Sequence, residues 1–169
     1  MFNWLKKTLG ISGKGPDGAR LDCRNAVVVT VPKDWVSLVT NLADLLPDKA
    51  TLYFEGVSIR RKVAKFLRAH EAPCRLKIAR ATIWPPPQIY HVSLTHEVIE
   101  QLADFFSSLN SNEICDHFHA YAEEEVLFEW HDAFSIDPLL LSSRIPEERI
   151  QHFCSELGCN YEKLVVHNS

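Results

Sequence analysis

The run Ala26-Val27-Val28-Val29-Thr30-Val31 sets the reading of the fold. It is apolar or β-branched throughout, without the alternation of a half-exposed strand, and so reads as a strand covered on both faces. Asp34 is placed to cap a helix whose stripe is Trp35, Leu38, Val39, Leu42, Leu45 and Leu46, stopped by Pro47. Residues 51–55 form a second strand. Gly56 then turns into a helix with Ser58 near its start, which buries Ile59, Val63, Phe66 and Leu67. Residues 75–84 alternate as a third strand. Strand, helix, strand, helix, strand is the pattern of parallel pairing through helical crossovers.

Trp84-Pro85-Pro86-Pro87 then imposes a stiff, extended corner. Beyond it, residues 89–93 read as a short strand, and Thr95 caps a helix that buries Val98, Ile99, Leu102, Phe105 and Phe106. A hairpin spans residues 117–131 and a further strand residues 139–142. The last helix opens at Pro146, carries Glu147 and Glu148 where its dipole favours them, and stops at Gly158. The expectation is a single α/β domain over residues 26–169 with a mixed sheet. Its first half is parallel βαβαβ, its second half an antiparallel hairpin or meander, and helices cover both faces. Residues 1–25 read as a flexible N-terminal arm and linker. Glycines punctuate residues 10–18, and Phe2, Leu5 and Leu9 share one face of a helix too short to stand alone.

With 169 residues, 46% of them hydrophobic, the chain can bury one core and is excluded from the disordered class. No apolar run approaches the roughly 18 residues that a membrane helix needs. Lys6 and Lys7 interrupt the amino terminus before a secretory core develops. The five cysteines, odd in number and without a C-x-x-C pair, read as reduced thiols. Both features point to a cytoplasmic protein.

Charge is unevenly spread along the chain. Residues 60–80 hold eight Lys or Arg against the single acid Glu71, whereas residues 81–143 hold eleven acids and no cation. A field of one sign selects partners of the other and speeds their encounter. The leading functional reading is therefore a non-enzymatic interaction protein, inhibitor- or immunity-like or regulatory, which presents an acidic, histidine-rich face to a basic protein partner. Glu123, Glu124, Glu125 and Asp132 are the expected contact residues. Nucleic acid is disfavoured, because the cations of residues 60–80 fall mainly on the outer arc of one helix with no aromatic residues among them.

The 117–131 hairpin offers a different chemistry. With Ala122 opposite Val126, one side becomes wholly apolar, Phe118, Ala120 and Ala122 facing Trp130, Phe128 and Val126. The other side then sets His117 opposite His131 and His119 opposite Glu129, with Tyr121 and Leu127 beyond. Opposed side chains lie about 4.5–5.5 Å apart at Cβ, so these imidazoles and the carboxylate have the atoms and spacing of a zinc or non-haem iron site. The alternative reading is a metal-dependent hydrolytic enzyme with His117, His119, Glu129 and His131 as ligands. Without that metal no cofactor is expected. Polar residues on the open side of a half-exposed hairpin would look the same. Three consecutive glutamates also argue against a tight turn, and Cys115, two residues before His117, is a candidate thiol.

Overall fold

The protein is described here by a computed structural model covering residues 14–15, 17–135 and 137–164. The apolar arm at residues 2–9 lies outside the described residues. Seven strands form the main sheet: β3 (Ala26–Val29), β4 (Thr51–Gly56), β5 (Gln88–Ser93), β6 (His117–Ala122), β7 (Glu125–Trp130), β8 (Leu139–Ser142) and β9 (Tyr161–Lys163). Their order is β5-β4-β6-β7-β8-β3-β9, and every pairing is antiparallel. Two two-residue strands, β1 (Lys14–Gly15) and β2 (Gly18–Ala19), pair with each other.

The expected parallel first half is therefore wrong, for two physical reasons. β3 is followed by helices and then β4, but it pairs with β8 and β9, while β4 lies beyond three intervening strands, beside β5 and β6. Residues 75–84, moreover, are not a strand of the sheet. Their alternation is real, with Leu76 and Ile78 buried and Arg75, Lys77 and Arg80 exposed. It arises because the segment lies across the sheet, touching it with one side, and its one ladder contact is a bridge from Ile78 to Ala19.

Helices do not cover both faces either. α1 (Trp35–Thr40), α2 (Leu42–Leu45), α3 (Arg61–Ala69), α4 (His96–Ser108) and α5 (Glu147–Leu157) all bury their apolar residues in one cluster. The sheet's contribution to that cluster includes Val29, Leu52, Phe54, Phe118, Phe128 and Leu141. A second cluster on the opposite face joins Val28, Tyr53, Tyr121 and Leu140 to Ala19, Leu21, Leu76 and Ile78. β3 is thus covered on both faces, as its composition requires, but irregular chain covers the second one. Residues 17–25, which composition assigns to the linker, form part of that cover.

Local signals are obeyed closely. The Asp34 side chain accepts the N–H groups of Val36 and Ser37, the Thr95 hydroxyl accepts that of Val98, and Gly158 ends α5 at φ 62°. α3 begins three residues after Ser58, with Arg60 at its cap. In the hairpin, Phe118 faces Trp130, His119 faces Glu129 and Ala120 faces Phe128 as hydrophobic matching requires. A bulge then shifts the register, so Tyr121 pairs with Val126 and Ala122 with Glu125. The surplus residue, Leu127, joins Phe128 in the helix-side core rather than the polar face. A tight turn forms despite its glutamates, with Glu123 in the left-handed region at φ 54°. Among the described residues, no helix is long and apolar enough to cross a membrane.

The cover lies against itself as closely as against the sheet. Gly18 adopts φ +137°, and a Cβ there would meet the Ala79 nitrogen at 2.5 Å and the Ile78 carbonyl carbon at 2.6 Å. Gly18→Ala is expected to cost about 2–3 kcal/mol in urea denaturation, from backbone strain and the displaced 77–79 segment. An unchanged midpoint would mean that residues 17–21 do not pack on residues 77–79.

Candidate functional site

The second face of the sheet carries a polar grid. Alternation along β4 sends Tyr53 and Glu55 to this side, and along β6 it sends His117 and His119. Antiparallel register sets Glu55 beside His117 and His119 between Tyr53 and Glu129, while His91 on β5 faces Tyr53. The hairpin's histidines and carboxylate were expected on an open surface. His117, His119 and Glu129 are instead buried, with His119 at 1% exposure and Glu129 at 4%, as is Glu55 of β4 at 0%, while His131 is half-buried.

Two carboxylates hold the cover in place. Glu55 accepts the Thr82 N–H at 2.6 Å, the Ala81 N–H at 3.2 Å and the Tyr53 hydroxyl at 2.6 Å. Glu129 accepts the Leu21 N–H at 2.7 Å on Oε2 and the His131 Nε2–H at 2.6 Å on Oε1. Each glutamate thereby fixes one irregular segment to the sheet. Burying a carboxylate without partners costs several kcal/mol, and these backbone donors offset it. Burial alone would raise the Glu129 pKa. The hydrogen bond from His131, the neighbouring imidazoles and the Leu21 amide outweigh that effect and hold it well below the ordinary range.

The imidazoles are committed to the same scaffold. His117 Nδ1 accepts the Asp132 N–H at 3.0 Å, and His119 Nδ1 accepts the Trp130 N–H at 3.1 Å. In each neutral ring Nε2 must then carry the proton. His117 directs its proton to Thr82 Oγ1 at 3.0 Å, so it acts as donor to that hydroxyl and not as its base. His119 Nε2 is a buried side-chain nitrogen with no hydrogen-bond partner among the described residues. His91 Nδ1 bonds the Tyr121 hydroxyl at 3.0 Å.

The structure thus gathers His117, His119, Glu129 and His131 on one face, but as a hydrogen-bonded cluster and not as a ligand set. Neither His117 nor His119 offers a free lone pair in this arrangement. Among the described residues, no group of three or more His, Cys, Asp or Glu is placed to hold a metal ion. Cys115 lies in the helix-side core, where burial pushes its thiol well above the usual range, so it is unreactive.

The acidic candidates are separated. Glu123, Glu124 and Glu125 line a groove of about 520 Å³ at the hairpin turn, together with Arg20, Asp22 and Arg144. Asp132 lies at the far end of β7, on a larger cleft of about 1340 Å³ shared with His117, His131 and Trp84. Tyr53, Glu55, Thr82 and His91 were not singled out from the sequence. The usable signal was Tyr53-Phe54-Glu55, two polar groups alternating within a buried strand. Comparison with protein-family models, with curated proteins and with solved structures finds no match.

Two measurements probe this network. In Glu55→Gln an amide NH₂ replaces one acceptor oxygen facing backbone donors. It should cost about 2–4 kcal/mol and speed tryptic cleavage after Arg80; wild-type cleavage rates would show that Glu55 does not hold the strap. The second is pH dependence. Burial lowers the pKa of His91 and His117 and takes that of His119 to about 3, from 6.5. Above pH 6.5 folded and unfolded states are both neutral at these rings. Below it the unfolded chain takes up protons at these rings more readily than the folded one, so stability falls with acidity. His119 alone should contribute about 1.4 kcal/mol per pH unit below pH ~6. Glu129 acts lower, its contribution being lost only below the unfolded carboxyl range. Urea midpoints from neutral to mildly acidic pH should show a slope reduced by about one proton in His119→Gln, and an equal slope would contradict the neutral, buried ring.

Proposed function

We propose that the protein is a non-enzymatic, cytoplasmic binding protein that engages a basic protein partner, as an inhibitor or regulator does. The observation that carries this reading is the groove at the β6–β7 turn, where Glu123, Glu124 and Glu125 meet Asp22 and only two arginines accompany the four acids. Arg144 bridges Glu125 at 3.0 Å and Arg24 holds Asp22 at 2.9 Å, and the groove still keeps an acidic excess suited to a Lys- or Arg-bearing segment. Asp132 is too remote to share that contact.

The metal-dependent hydrolase is the competing reading. It would require His117 and His119 to release the Asp132 and Trp130 amides and take up the other tautomer. Stoichiometric zinc or iron in the purified protein would favour it.

The partner reading is tested with immobilised protein and cell lysate. A bound protein should be recovered at low salt and lost above about 0.5 M salt, where the Debye length falls to a few ångströms. The triple variant Glu123→Lys, Glu124→Lys, Glu125→Lys should fail to recover it while keeping its unfolding midpoint near wild type. Recovery undiminished in the variant, or no partner at any salt, would count against the reading.

A further inference from the structure

Among the described residues the exposed large apolar side chains are Ile83 at 91%, Trp84 at 81% and Val57 at 38%. All three stand at one end of the sheet. Val57 directly follows β4 and gives its N–H to Asp116 at 2.8 Å. Ile83 and Trp84 directly follow the two amides held by Glu55. Asp132 closes the same end through its bond to His117. A tryptophan this open marks an interface, and one on a fixed backbone makes a strong anchor because little ordering remains to be done on binding.

The cleft beside Trp84 has two unlike walls. Its cations, Arg20, Lys77 and Arg80, come from the covering segments, with Asp17 at their edge. Asp132 and Asp137 come from the connection after β7. No ion pair joins these cations to these acids among the described residues.

We propose that this end of the molecule is a self-association surface. Two copies meet about a twofold axis, Ile83 and Trp84 of each seated in the other's cleft, the cationic wall of one against the acidic wall of the other. A patch carrying both signs around an apolar centre is complementary to itself after a twofold rotation, which a patch of one sign is not. Two tryptophans contribute about 150–250 Å² each. With both isoleucines and the charged walls, the contact reaches the lower part of the range of about 1,200–2,000 Å² seen for specific interfaces. Such a dimer is reversible and salt-sensitive. The surface lies at the opposite end of the second face from the glutamate turn and does not depend on the reading given to that turn.

Sedimentation velocity of the full chain, from low micromolar to several hundred micromolar, should show a monomer–dimer equilibrium that weakens with salt. Trp84→Ala should weaken it at least about thirtyfold with an unchanged unfolding midpoint, since the side chain is exposed. Arg80→Glu and Asp132→Lys should each weaken it as well. An equimolar mixture of those two variants should regain association, because the altered wall of one then meets the altered wall of the other. A monomer throughout the range, a dimer indifferent to Trp84→Ala, or a mixture no stronger than its components would overturn the proposal. So would a monomer in which Trp84 emits as a shielded indole, which would give the patch to another part of the same chain.

Discussion

Two carboxylates on the inner side of a sheet decide what can cover it. Glu55 and Glu129 are acceptors without water, and both need N–H donors from the layer above. A helix laid on the sheet cannot supply them, because beyond its first turn every amide is spent on its own ladder. Irregular chain has amides to give, and Leu21, Ala81 and Thr82 give theirs. Helices pack on the apolar face, where Val27, Leu52, Phe118 and Trp130 ask only for hydrocarbon, and loops on the polar one.

Much of the local structure was legible. Asp34, Thr95 and Gly158 mark helix ends through single hydrogen bonds or one dihedral angle, which neighbouring residues determine. The face of the 118–130 ribbon followed from matching apolar groups, because a slip of one residue would have buried Glu129 beside Phe118. The partners of β3 were not legible. A helix between two strands shows that the chain leaves the sheet and returns, but not where it returns. Here it comes back with three strands in between, and β3 pairs instead with residues more than a hundred positions later. Residues 75–84 misled for a related reason. Alternation reports that one side of an extended segment is buried, and a strap lying on a sheet satisfies that as well as a strand within it. The burial of the histidine face was hidden too, since the donors to its glutamates come from Leu21 and from residues 81–82.

Linear charge segregation also changes meaning once the chain is folded. Arg61, Lys62, Lys65 and Arg68 project from α3, yet α3 touches α4 through Phe66 against Phe105, and the exposed side of α4 carries Glu97, Glu100 and Asp104. His70 bonds Glu97 at 3.3 Å, and the Lys62 ammonium stands 5.7 Å from the centre of the Phe105 ring. The basic and the acidic blocks touch where Arg60 bridges Glu113 at 2.7 Å and where His70 meets Glu97.

The hydrogen bonds of the second-face network also set the path of its cover. With Nδ1 of His117 and His119 occupied by backbone amides, and both glutamates by the cover, the cluster fixes where residues 17–23 and 77–84 run. Residues 17–23 in turn line both surface depressions and residues 77–84 the tryptophan cleft, and Arg20 lines the glutamate groove and the tryptophan cleft alike. Because the Leu21–Glu129 bond lies one residue from Arg20, the two ends of this face share a single buried fastening. A partner that pulled residues 17–23 away at one end would have to break that fastening, and would alter the charge of the cleft at the other.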